Sequence, residues 1–177
     1  MIERAVIIGN QIRIIPEDTA LDVADTVADA DHRPESSDDA WLSLPCVDNA
    51  MLDRASQEKK IFCSQPGAKR LADVIETQVE RTWKVKFQEV QLLLMQYVFG
   101  MDTPDGTTSS FQMNNDASRK AWVEIKQYDH KDLIWVTHTF WGYIKVTGST
   151  NFDDSHVQVN ADIMVLHSTL NLTEAAT

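Results

Sequence analysis

A chain of 177 residues with 43% apolar side chains can bury one core without metal or disulfide staples. Its 27 acidic residues outnumber 16 basic ones, and a net charge of -11 repels DNA phosphates and anionic membrane surfaces, which argues against tight nucleic-acid binding. No apolar run reaches the roughly 20 residues of a membrane-spanning helix, and the opening Met1-Ile2-Glu3-Arg4 is unlike a secretory signal, so the protein is expected to act where it is made.

The first residues, 6–15, are β-branched and carry a Gly9-Asn10 pair, so they read as a tight hairpin or as one bent strand. Residues 16–39 are rich in Asp, Ala and Ser and poor in large apolar side chains. Residues 1–40 hold ten acidic against three basic side chains. Such a segment buries too little surface to offset its ordering entropy, which predicts an extended acidic arm. The chain accordingly divides into residues 1–40, a strand plus arm, and residues 41–177, a β-sandwich domain.

Residues 41–47 and 59–64 read as two strands, with the polar stretch 48–58 connecting them or weakly continuing the pair. Over residues 78–87 the alternation is regular. Val79, Trp83, Val85 and Phe87 share one face, broken by Arg81, and polar side chains take the other. Val90, Leu93, Leu94, Tyr97 and Val98 then fall at helical spacing before Gly100, predicting one short amphipathic helix. After a turn-rich passage at 101–106 come a strand at 121–128, a turn at Asp129-His130-Lys131-Asp132 and a long strand over 133–147. Ile134, Val136, Phe140, Ile144 and Val146 line one face of that strand. Trp135, Thr137, Thr139, Trp141 and Tyr143 line the other, so the strand must be covered on both sides, by a second layer or by another subunit. A last strand is expected over 156–170. The resulting fold class is α+β, mainly β: an antiparallel β-sandwich or partial barrel with one short helix against it.

The sequence offers little chemistry. It has no Gly-x-Ser-x-Gly elbow, phosphate loop, His-Glu-x-x-His or Gly-x-Gly-x-x-Gly, so no catalytic residue, cofactor or metal ligand is assigned and an enzyme is not expected. Asp129, His130, Lys131 and Asp132 bring an acid, a base and a cation together, but four polar residues between two strands are what a hairpin turn requires. His138 reads as a hydrogen-bonded core or interface histidine. Asn151, Asp153 and Asp154 supply too few oxygens for calcium. Cys46 and Cys63 read as reduced core filler, with neither a disulfide nor a zinc site implied. Among five tryptophans, the outward pair Trp135 and Trp141 are the candidates for an inter-subunit contact.

The stretch 74–100, an alternating strand that passes through Glu89 into a helix ending at Gly100, resembles the strand-then-helix segment of siphophage tail tube (major tail) proteins. Residues 41–64 are similar to that family's early strand pair. Gln65, Pro66, Gly67, Ala68, Lys69, Arg70 and Leu71 fall where such proteins carry a projecting loop, and the strands over 121–147 and 157–166 match the closing strands in order. The resemblance implies a virion subunit, assembled in the host cytoplasm, that forms rings, by family habit hexamers, whose sheets join into a β-barrel lining a channel for DNA. It implies stacking of the rings through the loop (Gln65, Pro66, Gly67, Lys69, Arg70) and the terminal arm. Partners would be copies of the chain and other tail proteins such as the tape measure, tail terminator and distal tail proteins, with no membrane and no specific DNA contact. The alternatives are another tube-forming, secretion or tail-completion protein of the same architecture, or a monomeric β-barrel that binds a small ligand in a Trp-lined cavity.

Overall fold

The computed structural model describes residues 9–45, 47–65, 68–89, 101–102, 112–113, 119–147 and 158–175. They form ten strands: β1 (Gly9–Pro16), β2 (Leu42–Ser43), β3 (Val47–Gln65), β4 (Ala68–Phe87), β5 (Met101–Asp102), β6 (Gln112–Met113), β7 (Lys120–Tyr128), β8 (Ile134–Val146), β9 (Val159–Val165) and β10 (Leu172–Ala175). Eight belong to one sheet, in the order β2-β1-β7-β8-β9-β4-β3, and β10 also pairs with β8. The remaining two, β5 and β6, pair with each other. All ladders are antiparallel. The fold is therefore mainly β, as the alternating segments predict. The helix expected over residues 90–99 lies outside the described residues, as do the Asn151, Asp153 and Asp154 loop and Cys46.

The sheet curls because its two ends are adjacent in the chain. β2 and β3 stand at opposite ends of the strand order, yet only residues 44–46 join them. A linker of that length spans at most roughly 14 Å, so the sheet rolls towards a barrel and stops short of closing. Inside the curl lies the main core, where Ile12, Ile14, Phe87, Val123, Ile125, Ile144, Val159 and Ile163 are fully buried. These side chains come from alternate positions of β1, β4, β7, β8 and β9, as a half-buried strand requires.

The opposite face carries a second core of Ile15, Trp122 and Trp141, covered by Ala28 and Trp41. This is the second cover that β8 demands, and the chain provides it itself. Residues 17–41 are not a free arm but lie across the sheet. They turn at Asp18 and Asp25, both at positive φ (64° and 60°), a conformation that Asp tolerates better than most residues. Thr19 and Ala28 then bond through Ala28 N–H to Thr19 C=O at 2.8 Å, and Ala20 bridges Val27. Composition underestimates this segment because a few small side chains and one indole, set against two tryptophans, offset its ordering entropy. The proposed boundary at residue 40 likewise cuts through one sheet, since β1 is an inner strand between β2 and β7.

The structure decides between readings that the sequence left open. Gly9 and Asn10 pair with Tyr128 and Gln127, so β1 is one strand and no hairpin forms there. The segment 41–47 splits: Leu42 and Ser43 pair with β1, and β3 starts at Val47. The stretch 48–58, read as a connection or a weak continuation of the pair, continues it as part of β3.

Candidate assembly surfaces

β3 and β4 form a ribbon far longer than the sheet that carries it. Only Thr82–Phe87 of β4 pair with β9, whereas the β3–β4 ladder continues to Gln65 and Ala68. About 40 Å of two-stranded ribbon therefore extends past the sheet, taking roughly 3.3 Å per residue. Its side chains are exposed along residues 51–61 on β3 and at 73, 74, 76 and 78–81 on β4. Ile61, Val74 and Val79 stand at 39%, 41% and 43% exposure. A two-stranded ribbon with both faces in water is marginally stable alone. Ion pairs brace it: Arg54 to Glu76 at 2.7 Å, and Lys84 to Asp53 at 2.8 Å. The Lys84 ammonium holds the Asp53 carboxyl below the usual carboxylate range, and Asp53 in turn raises the lysine.

Of the predicted loop residues, Gln65 pairs with Ala68, Lys69 with Ser64 and Arg70 with Cys63, at the far end of this ribbon. Pro66 and Gly67, between them, lie outside the described residues. The two tryptophans assigned to a subunit contact part company. Trp135 is exposed at 46%, beside Leu133 (61%) and Ile134 (39%) at the β7–β8 turn. Trp141 is corrected: it is 3% exposed and packed in its own chain's second core, because the arm occupies the face on which it lies.

The arm is fixed by a buried carboxylate that the sequence reading passed over. Glu124, 1% exposed, sits opposite Arg13 in the β1–β7 register. Its Oε1 accepts from Arg13 Nε at 2.8 Å and also from Arg13 Nη2, Lys126 Nζ lies 3.1 Å away, and Ser36 Oγ donates to Oε2 at 2.8 Å. Arg13 also donates to the Ser36 carbonyl at 3.0 Å and stacks over Trp41 at 5.1 Å. Strand, sheet and arm thus meet at one charge whose desolvation is compensated. A lone Glu between Trp122, Val123 and Ile125 was the available signal. Further ties are the Trp122 indole N–H to the Asp29 carbonyl (2.6 Å), the Trp41 indole N–H to Glu35 (2.7 Å) and Ser168 Oγ to Ala30 (2.7 Å).

His138 lies on the concave face at the base of the ribbon. Its ring is 4.9 Å from Trp83, its Nδ1 is 3.0 Å from Thr173 Oγ1, and burial lowers its pKa. A shallow groove of about 360 Å³ there is lined by Leu52, Arg81, Trp83, Thr139, Leu172 and Thr173 among others. At the β7–β8 turn, Asp129 accepts from the N–H groups of Lys131 (2.8 Å) and Leu133 (3.0 Å), which lower its pKa, and Asp132 takes φ 58°. That polar quartet serves as a turn. Among the described residues, no group of three His, Cys, Asp or Glu side chains could hold a metal ion.

A whole-chain counterpart of this fold has been solved. It is a chain from the cryo-EM structure of the anti-feeding prophage baseplate, six-fold symmetrised, which matches with a TM-score of 0.53 at 9% identity. The match covers 99% of this chain and 98% of that chain, so the ribbon and the arm belong to the compared unit along with the sheet. At that identity the likeness is one of fold. No protein-family model and no curated protein matches the sequence.

Proposed function

We propose that this chain is a structural subunit of a phage-tail-like particle, a non-enzymatic protein that assembles with copies of itself into rings of the tail-tube type. The observation that carries the reading is the end-to-end fold likeness to a chain of a six-fold symmetrised baseplate. The unclosed sheet supports it. β3 has β4 on one side and no ladder partner on the other among the described residues, and β1 pairs with β2 only at Arg13 and Ile14. Open edges of this length invite strand addition by another chain. The net charge of -11 suits a channel wall along which DNA passes without adhering. The other tail proteins, tape measure, terminator and distal tail, are the proposed neighbours of such rings, and the virion tail is the proposed location.

The tail type is left broader than a siphophage tube, because the counterpart comes from a prophage-derived baseplate. That same origin favours a second reading, a subunit at the end of a tube that stops at one ring. Negative-stain electron microscopy of purified protein across a concentration series separates the two: stacked tubes that lengthen with concentration mark a tube protein, and single annuli mark a terminal ring. Particles of one chain at every concentration contradict both.

A further inference from the structure

The sheet forks where β9 ends. Up to Val165, β9 lies between β8 and β4 and pairs with both. The chain then leaves the sheet and rejoins it at Leu172, as β10, on β8 alone. β4 continues outward from Arg81 with no ladder partner on that side among the described residues. The free edge of β4 and the outer edge of β10 therefore flank a cleft. Hydrogen bonds fix the crossing segment at the fork: the Leu166 N–H donates to the Trp141 carbonyl at 2.9 Å, the Trp141 N–H to Asn171 Oδ1 at 2.8 Å, and Asn171 Nδ2 to the Leu166 carbonyl at 2.9 Å. The unpaired backbone groups along β4 are those that an extended chain satisfies.

The apex of the cleft is cationic, although the chain carries a net charge of -11. A volume of about 420 Å³ there is lined by Arg54, Val79, Arg81, Leu166 and His167 among others, and Arg81 also lines the groove beside His138. Arg54 and Arg81 are directly opposed in the β3–β4 register, and like charges so placed are destabilising. Glu76 answers Arg54, at 2.7 Å. Arg81 has no hydrogen bond or ion pair among the described residues. The remaining carboxylates of these strands do not reach it. Glu80 shares the opposite face with Gln78, to which it bonds, and Glu174, opposite Thr137, lies on the face of β10 away from Thr173. Glu58 and Asp73 stand further out along the ribbon, opposite Glu76 and Ile61. His138, whose pKa burial lowers, adds no charge at neutral pH.

We propose that this cleft binds an extended acidic segment of a partner protein, which adds as a strand to the free edge of β4 and sets a carboxylate against Arg81. A planar guanidinium with no internal partner receives a carboxylate through two parallel hydrogen bonds. The ladder holds any extended backbone, and Arg81 selects an acid at the inner end of the cleft. A peptide fits better than a nucleic acid, because the cleft offers strand edges and apolar side chains and the chain's overall charge repels a phosphate backbone. The occupant is not a copy of this chain, so the inference goes beyond the self-assembly reading and stands or falls without it.

Fluorescence anisotropy of the full chain with short labelled peptides tests it, below the concentration at which the chain multimerises. The probes alternate valine and threonine and carry at the centre a glutamate, a lysine, or a glutamate flanked by prolines, which cannot join a ladder. The glutamate probe is expected to bind saturably, and the other two at least about tenfold more weakly. Arg81→Gln should weaken the glutamate probe about tenfold, whereas Glu80→Gln, on the other face, should change it by less than about twofold. Circular dichroism melts verify that both variants fold. A glutamate probe that does not saturate, equal binding of the glutamate and lysine probes, or an Arg81→Gln chain that binds like wild type overturns the assignment. A single-stranded oligonucleotide that binds more tightly than the glutamate probe makes the cleft a phosphate site and overturns it too. So does an Arg81→Gln chain that loses self-association while no probe binds wild type, since the occupant is then a second copy.

Discussion

Trp122 and Trp141 stand directly opposite each other on β7 and β8, with ring centroids 5.8 Å apart and planes tilted by 54°. This tilted aromatic pair, flanked by Ile15 on β1, is the floor on which the arm rests, since Ala28 and Trp41 close over it. A cross-strand aromatic pair of this geometry adds about 0.5–1.5 kcal/mol beyond the area it buries. The second face of the sheet is therefore an internal one, made from the chain's own acidic segment.

Removing Trp141 should consequently act on folding. Trp141→Ala is expected to cost about 3–5 kcal/mol in urea denaturation, as large-to-small changes of buried aromatics do, and Trp141→Asp to prevent folding. Trp135→Asp, at an exposed position, should change stability by no more than about 0.5 kcal/mol while weakening assembly if Trp135 lies between subunits. A Trp141→Asp chain that folds normally would contradict the two-faced core.

The arm's attachment can be measured separately. Glu124→Ala leaves Arg13 without its carboxylate beside a buried site, and a loss of about 3–5 kcal/mol is expected. Ser36→Ala removes one hydrogen bond to that carboxylate and should cost about 1 kcal/mol. Hydrogen exchange of the Ala28 amide, which bonds to Thr19, should accelerate in both variants, more so in the first. An unchanged rate would show that the arm is held by its apolar contacts alone.

His138 predicts a pH dependence with a definite sign. Burial against Trp83 lowers its pKa from the ordinary 6.5, so the unfolded chain binds the proton more readily than the folded one. Its contribution is fully present above about pH 6.5 and is lost as the pH falls below that value. His138→Phe keeps an aromatic ring beside Trp83 and cannot titrate. Melting temperatures between pH 7.5 and 5 should therefore fall less steeply in this variant than in wild type; parallel curves would contradict the assignment.

How far the sequence revealed this fold depends on what each pattern measures. Alternation identified β7, β8 and the inner end of β4, where Trp83, Val85 and Phe87 are buried at 4%, 3% and 0%. The same pattern placed Val79 with them, yet it is exposed, because alternation reports which face a side chain shares and not how far the covering layer extends. The polar run in β3 left a connection and a continued strand equally open for the same reason: a ribbon with both faces in water has no apolar stripe to show. The last strand was expected over 156–170, and β10, beyond it, was not foreseen. In the structure the chain leaves β9 after Val165 and returns at Leu172 to pair with the other half of the same β8 edge. The arm escaped detection because its packing relies on alanines, backbone hydrogen bonds and one Glu–Arg pair from distant strands, which composition cannot register. The ribbon tip at Gln65, Lys69 and Arg70 was expected to project only from the resemblance to tail tube proteins, since the residues themselves do not show how far the ladder extends.

Light scattering coupled to size exclusion, followed by electron microscopy of the eluted peak, bears most directly on the proposal that the chain completes its sheet with copies of itself. The mass should rise with loading concentration to that of a closed ring, with annuli or stacked tubes in the images. A mass of one chain that stays constant up to roughly millimolar protein, with no annuli at low or high salt, would contradict it.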